Sequence, residues 1–460
     1  MLQIIKNILP RQKDVYIIGG SIRDLLLGRM PADYDIACAG NPEKFAEKML
    51  SERGGHLVRL GRSGQMIFRV ISNGMIFDIA SLNGTSIEED LKKRDFTVNA
   101  IAYDLLSEKI IDYFGGLKDL ADKKVRMVSK EVFKNDPVRL IRAYRIGACL
   151  NFEIESKTAE SIAFHVHLIQ AVAGERIRAE LLSMLDTSVS YPYLIKMADN
   201  SLLGAVFPGF DRLKGCYQNS YHQFDVFEHT LRAFEHLETM LNKPEDIFSD
   251  NFIEIRRYIE KTRPALIKCA VLIHDIGKPL TKTRGSNGNS RFYGHARKSA
   301  EIAQTICQRL KFSNDERRHI DCIVRHHMKP LSLFTAYEKK AIPKKGILRF
   351  YKKCGDNTPA VLLAAMADTK AKQPKMNSQH MDIISFIKKL IFDYFTDFQI
   401  VDSKPPLITG HDLIRVFQMT PSPLFKKILG LVDEARLAHT VKTRSEALEL
   451  VRDYLISNQK

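Results

Sequence analysis

Up to about residue 125 the chain strings together short β-branched runs separated by Gly and Asn, the pattern of a mixed α/β region. The spacing predicts strands at VYIIG (15–19), YDIAC (34–38), QMIFRVI (65–71), GMIFDIA (74–80) and KIIDYF (109–114). The third and fourth face each other across a hairpin turn at Ser72-Asn73. From Glu131 onward apolar positions recur every three or four residues, so helix follows helix. Polar stretches punctuate this part: FPGFDRLKGCYQNS (207–220) reads as a linker, TKTRGSNGNSRFYG (281–294) as a loop inside a helical domain. KAKQPKMNSQ (370–379) leads into a helical tail. The expected class is α+β, divided into 1–130, 131–210, 217–375 and 380–460: a mixed-sheet head with flanking helices, then three all-α regions.

A chain of 460 residues exceeds one ordinary core, and 45% apolar with 27% charged residues makes disorder the wrong default. The 70 Lys and Arg against 54 Asp and Glu leave a net charge of +16, which attracts polyphosphate and suits nucleic acid or an acidic membrane face. Spanning a membrane is excluded, because the most apolar windows, such as ALIKCAVLI, are short and contain a lysine. The N-terminal stretch carries Lys6, Asn7 and Pro10 among its apolar residues and no small-residue cleavage site, unlike a signal peptide. Cysteines at 38, 149, 216, 269, 307, 322 and 354 form no C-x-x-C pair, which argues against a zinc ribbon or disulfide framework. A reducing, cytoplasmic setting is expected.

Candidate chemistry begins at IIGGSIRDLLLGRMPADYDIA. Gly19-Gly20 follow a strand and precede an apparent helix at 22–27, where backbone N–H groups can approach a phosphate. Taken alone such a pair is commonly just a tight turn, and no G-K-[ST] follows, so a P-loop is excluded. Asp33 and Asp35 flank Tyr34 at the start of a strand, and a period of two sends both carboxylates to one face. Two like charges there repel unless a cation sits between them. Asp78 lies on the apolar strand MIFDIA, where a charge is costly unless paired or metal-bound. Three carboxylates on neighbouring strands beside a Gly-Gly turn favour a two-metal phosphoryl-transfer site over an exposed acidic edge. Further on, Arg94-Asp95 head an apolar segment, and NDPVRLIRAYR is expected to open a helix with Asn135 or Asp136 as cap and Pro137 in its first turn. On that helix Asp136 and Arg139 are adjacent, and Arg139, Arg142 and Arg145 form a basic stripe.

In order along the chain, GGSIRD, DYD, RDFTVNA, IDYFGGLKDL, NDPVR and GERIRAELL resemble the class II tRNA nucleotidyltransferase and bacterial poly(A) polymerase family. The resemblance covers roughly the first 210 residues. It implies a polymerase-β-like nucleotidyltransferase head in 1–130 and a helical neck in 131–210 that reads the nucleobase. It places Mg²⁺ on Asp33 and Asp35, with Asp78 as the third catalytic carboxylate. Gly19, Gly20, Arg23 and Asp24 would hold triphosphate, Arg94 and Asp95 the ribose, and Arg142 and Arg145 would extend the nucleotide-binding set. Asp136 and Arg139 would template the incoming base. A carboxylate accepts from an exocyclic amine and an arginine donates to a ring nitrogen, so C and A fit where U and G do not. The sequence departs from the family pattern at Asn135, where Glu is usual, and at Lys93, where the first Arg of R-R-D is usual. The implied partners are the tRNA 3′ end, CTP and ATP. Only fifteen residues, 79–93, separate Asp78 from Arg94. Members that complete CCA typically carry a longer flexible loop here, so the resemblance tilts toward those that add CC and stop.

The middle of the chain holds YHQFDVFEHTL (221–231), LIHDIGKP (272–279), FYGHA (292–296), IVRHHMKP (323–330) and AMADTKA (365–371). Imidazoles and carboxylates at such wide spacing suit Mn, Fe, Ni, Zn or Mg held between helices. The pattern H…HD…H…H…D resembles the HD superfamily of metal-dependent phosphohydrolases, which places the core ligands on His229, His274, Asp275 and Asp368. His295 and His326 or His327 match the extra pair of dinuclear members, and Lys278 a phosphate contact. The cofactor implied is Mn²⁺, Ni²⁺ or Mg²⁺. The segment 406–451 is similar to the family's RNA-gripping tail. Three functions follow: a tRNA 3′-end nucleotidyltransferase with an attached hydrolase, a poly(A) polymerase, or an HD hydrolase whose head only binds nucleotide.

Overall fold

The computed structural model describes residues 8–61, 66–218, 223–248, 252–284, 290–339, 344–373 and 375–457. The chain divides into two compact units, Met1–Val206 and Phe207–Lys460. The α+β class is as expected, with a sheet in the first unit and helices through most of the rest.

The sheet of the first unit has seven strands: β1 (Val15–Ile18), β2 (Tyr34–Cys38), β3 (His56–Leu60), β4 (Ile67–Ser72), β5 (Met75–Ser81), β6 (Ala102–Asp104) and β7 (Ile110–Ile111). Their order is β3-β4-β5-β2-β1-β6-β7, and the only parallel neighbours are β2 and β5. The β4–β5 turn falls at Asn73-Gly74, one residue later than expected, because Asn73 (φ 50°) and Gly74 (φ 75°) take the left-handed pair of a two-residue hairpin. Phe77 and Ile79 on β5 and Tyr34, Ile36 and Cys38 on β2 are buried on one face. The Tyr34 and Phe77 rings stack there at 5.1 Å. The alternate positions, Asp35 and Asp78, therefore emerge together on the opposite face.

Apart from a short parallel ladder, Lys124–Val125 with Glu153–Ile154, the remainder of this unit is mostly helical. Helix Arg139–Leu150 buries Leu140, Ile141, Ala143, Tyr144 and Ile146 and packs on helix Gly174–Leu185. Asn135 and Asp136 do not cap it. Asn135 ends a short helix of its own, and the N-cap of the longer helix is Val138, with no side-chain cap. Asp136 is drawn away instead by Arg176, 2.8 Å from its Oδ2.

In the second unit, helix Val226–Asn242 packs on helices Pro264–Ile273 and Thr358–Lys370. The last of these is buried from Thr358 through Thr369, so it runs through the middle of the bundle. The stretch expected as a linker is part of this core: Phe207, Phe210 and Leu213 are fully buried, and each aromatic stabilises the unit by about 2–3 kcal/mol. Its final residues, 219–220, lie outside the described part. The expected loop at 281–294 carries a small ladder, Thr283–Arg284 with Ser290–Arg291. A separate apolar cluster holds the tail together through Ile408, Leu413, Ile428, Val432 and Val451. Among the described residues no helix is long and apolar enough to cross a membrane.

Candidate active site and metal centre

The parallel pairing of β2 and β5 sets Asp35 directly beside Asp78, and Asp33 lies exposed just before β2. Burial pushes the Asp35 carboxyl up to about 6; Arg94 opposes that rise, while Asp33 and Asp78 add to it. Asp78 has a partner that the sequence reading missed. Arg69, its cross-strand neighbour on β4, grips both carboxylate oxygens at 2.7 Å. These are hard oxygen donors with more negative charge than the sheet alone can offset, which fits a divalent cation. A cation must displace the proton that Asp35 retains below about pH 6. The raised value means the neutral carboxyl persists to higher pH than in the unfolded chain, so acid competes with metal. Mg²⁺ affinity at the head is expected to be full near pH 8 and to fall roughly tenfold per unit below pH 6. Calorimetric titrations at several pH values check this, with Asp275→Asn silencing the second cluster; a flat profile sinks it.

Gly19 and Gly20 form the first turn of the helix Gly19–Leu26 rather than preceding it. Gly19 sits at φ +71°, and an added Cβ would lie 2.6 Å from an Arg94 terminal nitrogen and 3.2 Å from Asp35 Oδ2. The absent side chain is what lets Arg94 and Asp35 meet the backbone. Around this point lies a cleft of about 430 Å³, lined by Gly19, Gly20, Asp35, Asp90, Asp95, Asn83, Asn99 and six cations: Arg23, Lys93, Arg94, Arg139, Arg142 and Arg145. Six cations against three carboxylates make it an anion-binding surface.

Hydrogen bonds fix the cations in place. Arg23 donates to Asp24 at 2.8 Å and to Asn99 at 2.7 Å, and Asn99 donates to Asp95 at 2.9 Å. Asp95 also accepts from Arg142 at 3.2 Å. Burial would raise the Asp95 carboxyl, but Arg142 and the Asn99 bond outweigh it and hold it below the usual range. Arg142 and Arg145 are not a solvated stripe, since Glu180 on helix Gly174–Leu185 accepts from both, at 2.7 and 2.5 Å. Arg94 is steered by Asp90, four residues earlier, at 3.0 Å. Asp136 and Arg139 lie together, 3.8 Å apart, with Asp136 Oδ1 and Arg139 Nε buried and without hydrogen-bond partners among the described residues. Such groups are costly to leave unmatched, so a ligand that pairs both is strongly preferred. Arg69, Asp90, Asn99, Arg176 and Glu180 were not singled out from the sequence, although the last three lie inside RDFTVNA and GERIRAELL; only the four-residue spacing 90/94 signalled a pair that the structure makes.

The second unit brings its histidines together. Asp275 Oδ2 lies 3.1 Å from His274 Nε2 and 3.7 Å from His229 Nε2, while His229 is 2.9 Å from Asp368. The other Asp275 oxygen lies 3.4 Å from His295 Nε2 and 3.8 Å from His327 Nε2. One carboxylate thus faces two ligand groups, His229/His274/Asp368 and His295/His327. His326 is not among them. It is half-buried, held away beside Arg325 and Lys353, and His327 takes the place on the cluster.

Every ring in the cluster is oriented by its far nitrogen. Nδ1 meets a backbone carbonyl at 3.3 Å for His229, 2.7 Å for His274, 2.8 Å for His295 and 2.7 Å for His327. The carbonyls hold the proton on Nδ1 and turn the Nε2 lone pair inward. Nε2 of His295 and His327 is buried with no hydrogen-bond partner among the described residues, and that of His274 faces the Asp275 carboxylate. Burial drives the His327 imidazole down to about 3, so it stays neutral. Burial also acts to lower His274, but Asp275 reverses the sign and raises it to about 10, so the pocket draws positive charge to this point. The donor set therefore fits borderline divalent ions. Lys278 reaches Asp275 at 2.6 Å and Gln218 at 2.7 Å.

Both units match known protein families. Residues 15–126 match the poly A polymerase head domain, 151–214 the probable RNA and SrmB-binding site of polymerase A, and 226–370 the HD domain. An A-adding tRNA nucleotidyltransferase of Deinococcus radiodurans is 28% identical over 95% of this chain and 94% of its own. A CC-adding tRNA nucleotidyltransferase of Thermus thermophilus is also 28% identical, over 95% and 92%. A multifunctional CCA protein of Herminiimonas arsenicoxydans is 30% identical over 65% of this chain and 70% of its own. In fold the chain is similar to a Thermotoga maritima CCA-adding enzyme complexed with tRNA, at a TM-score of 0.64 and 22% identity over 96% and 91% of the two chains. The chain belongs to the tRNA nucleotidyltransferase and poly(A) polymerase family, in a form that carries an HD domain.

Proposed function

We propose that this protein adds nucleotides from CTP to the 3′ end of tRNA, stops after two C residues, and hydrolyses phosphate esters at its HD cluster. The observation that carries the first part is the buried, unmatched pair of Asp136 Oδ1 and Arg139 Nε beside a cationic cleft. An acceptor and a donor at this spacing fit the exocyclic amine and ring nitrogen of C or A, and each mismatched group penalises U or G. Glu180 fixes Arg142 and Arg145 next to that pair, and Arg176 fixes Asp136, so the reading edge is held rigid.

Asp33 and Asp35 would hold Mg²⁺, with Asp78 oriented beside them by Arg69. When bound there, the ions supply charge stabilisation for a hydroxyl attacking a triphosphate and for the departing pyrophosphate. Arg23 lines the place where the triphosphate would bind, against the Gly19-Gly20 turn, and Lys93, Arg94 and Asp95 line the place of the ribose. Asp95 holds Arg142 and Asn99 in position for the ribose.

Arrest after two C residues is supported by the stretch between Asp78 and Arg94. It is short and tied down: buried Asp90 accepts from Asn83 N and Arg94, and Lys93 reaches Asn83 O at 2.7 Å. A segment so bound has little freedom to reshape the pocket from C to A. Purified protein given a tRNA without its 3′ end and each labelled NTP is expected to add two C residues from CTP and then stop. Addition of a terminal A points to a full CCA-adding enzyme, and long A tracts on any RNA to a poly(A) polymerase. Either outcome overturns CC addition.

For the HD cluster, the buried inward-facing Nε2 atoms favour a working metal site over a domain kept only for RNA binding or dimerisation. Mn²⁺, Ni²⁺ or Mg²⁺ bound by His229, His274, Asp275, Asp368, His295 and His327 would supply Lewis acidity for ester hydrolysis. Lys278 stands beside Asp275 as a cation for the phosphate.

A further inference from the structure

Next to the metal cluster lies a cavity of about 610 Å³, into which His295 and Asp368 open. Part of its wall comes from residues beyond the HD match, which ends at residue 370. Lys372 follows the helix Thr358–Lys370, and Gln379 and His380 belong to the first turn of the helix Ser378–Asp393. None of these three was signalled by a motif.

His380 is 5% exposed, although it sits on a cavity wall. Its backbone N–H is used by the Asn377 cap at 2.9 Å, but its Nδ1 is sealed without a partner among the described residues. A sealed N–H without an acceptor costs more than a sealed lone pair, so the proton belongs on Nε2. With Nδ1 sealed the N–H is placed on Nε2, on a ring that lines the cavity. Lys372 is 7% exposed and lies 3.7 Å from Asp368, with its ammonium beside a metal-ligand carboxylate. His380 sits in the first turn of a sixteen-residue helix, at the positive end of its dipole. A buried donor, a buried cation and a helix N-terminus converge on one wall, and all three favour an anion.

We propose that Lys372 and His380 form a phosphate-holding wall that seats the phosphate of an ester substrate against the metal cluster. The inference rests on the hydrolase reading of that cluster and adds the residues that position its substrate. They lie outside the HD motif and hold no metal. His380 donates from Nε2 to a phosphate oxygen, and Lys372 offsets the second negative charge.

The test uses the full-length protein loaded with Mn²⁺, and reads inorganic phosphate affinity by calorimetry, p-nitrophenyl phosphate kinetics and metal content. His380→Ala is expected to weaken phosphate binding and raise KM about tenfold, the loss of one charge-assisted hydrogen bond, with metal content unchanged. His380→Gln, whose amide nitrogen reaches the place of Nε2, is expected to stay within about threefold of wild type. Lys372→Met should weaken phosphate binding likewise. If wild type binds and hydrolyses but His380→Ala matches it in affinity and KM, the wall is wrong while the hydrolase reading stands. Loss of metal in His380→Ala would also overturn it, by making the residue a support of the cluster. A wild type that neither binds phosphate nor hydrolyses esters with Mn²⁺, Ni²⁺ or Mg²⁺ sinks both together.

Discussion

Asp35→Asn is expected to lower CTP incorporation by about three orders of magnitude or more while leaving the fold and the HD activity in place. The substitution keeps size and shape and removes one charge from the place where Asp33, Asp35 and Asp78 accumulate it. Because burial already raises Asp35, the neutral amide resembles the protonated acid that the metal-free site tolerates, and folding should not suffer. What is lost is cation binding, together with the electrostatic stabilisation it gives the transition state. A single-nucleotide extension assay, with thermal unfolding as control, checks the claim. Retained activity within tenfold would remove Asp35 from the reaction.

The second large effect belongs to Asp275. Its two oxygens face different ligand groups, so Asp275→Asn is expected to cost both ions at once and to lower ester hydrolysis about a thousandfold. Single-ligand changes such as His295→Ala should spare the other group. Asn keeps a carbonyl but no charge, so Lys278, almost fully buried, is left with Gln218 as its neighbour. A buried cation stripped of its counterion costs about 3–5 kcal/mol, so a lower melting temperature should accompany the loss. Asp275 lies in the second compact unit, and CTP incorporation is expected to stay within about twofold. Metal content, hydrolysis and incorporation measured on one preparation separate these outcomes. Full metal content in the variant would show that the carboxylate is not shared.

Much of this was legible in the residues, for identifiable reasons. The strand YDIAC coincides with Tyr34–Cys38, because its apolar alternation leaves one face for the core and one for Asp35. The HD ligands were legible as types, since a His-Asp doublet in an apolar run has few structural uses. Other features depend on register or tertiary pairing. Placing the hairpin turn at Ser72-Asn73 would set Ile67 opposite Asp78. The observed turn sets Arg69 there, and that single-residue difference hid the clamp on the Asp78 carboxylate. Strand β3 gave no signal because its residues are mostly half or fully exposed at the sheet edge. The choice between His326 and His327 is set by where a helix ends: His326, its last residue, faces away from the cluster, and His327, the C-cap, faces it. Glu180 sits 35 residues from Arg145 in sequence, and no local pattern joins them.

The carbonyl-held imidazoles carry one more implication. Each ring is locked by a bond made during ordinary folding, and the surrounding helices close over apolar residues such as Leu237, Ile267 and Leu363. Little rotational entropy remains to be lost when an ion arrives, so loading resembles filling a finished socket more than assembling one. A zinc finger folds around its metal, whereas each imidazole here has a backbone partner of its own. The identity of the occupant can therefore follow which metal the cell makes available at the time, without rebuilding the protein around it.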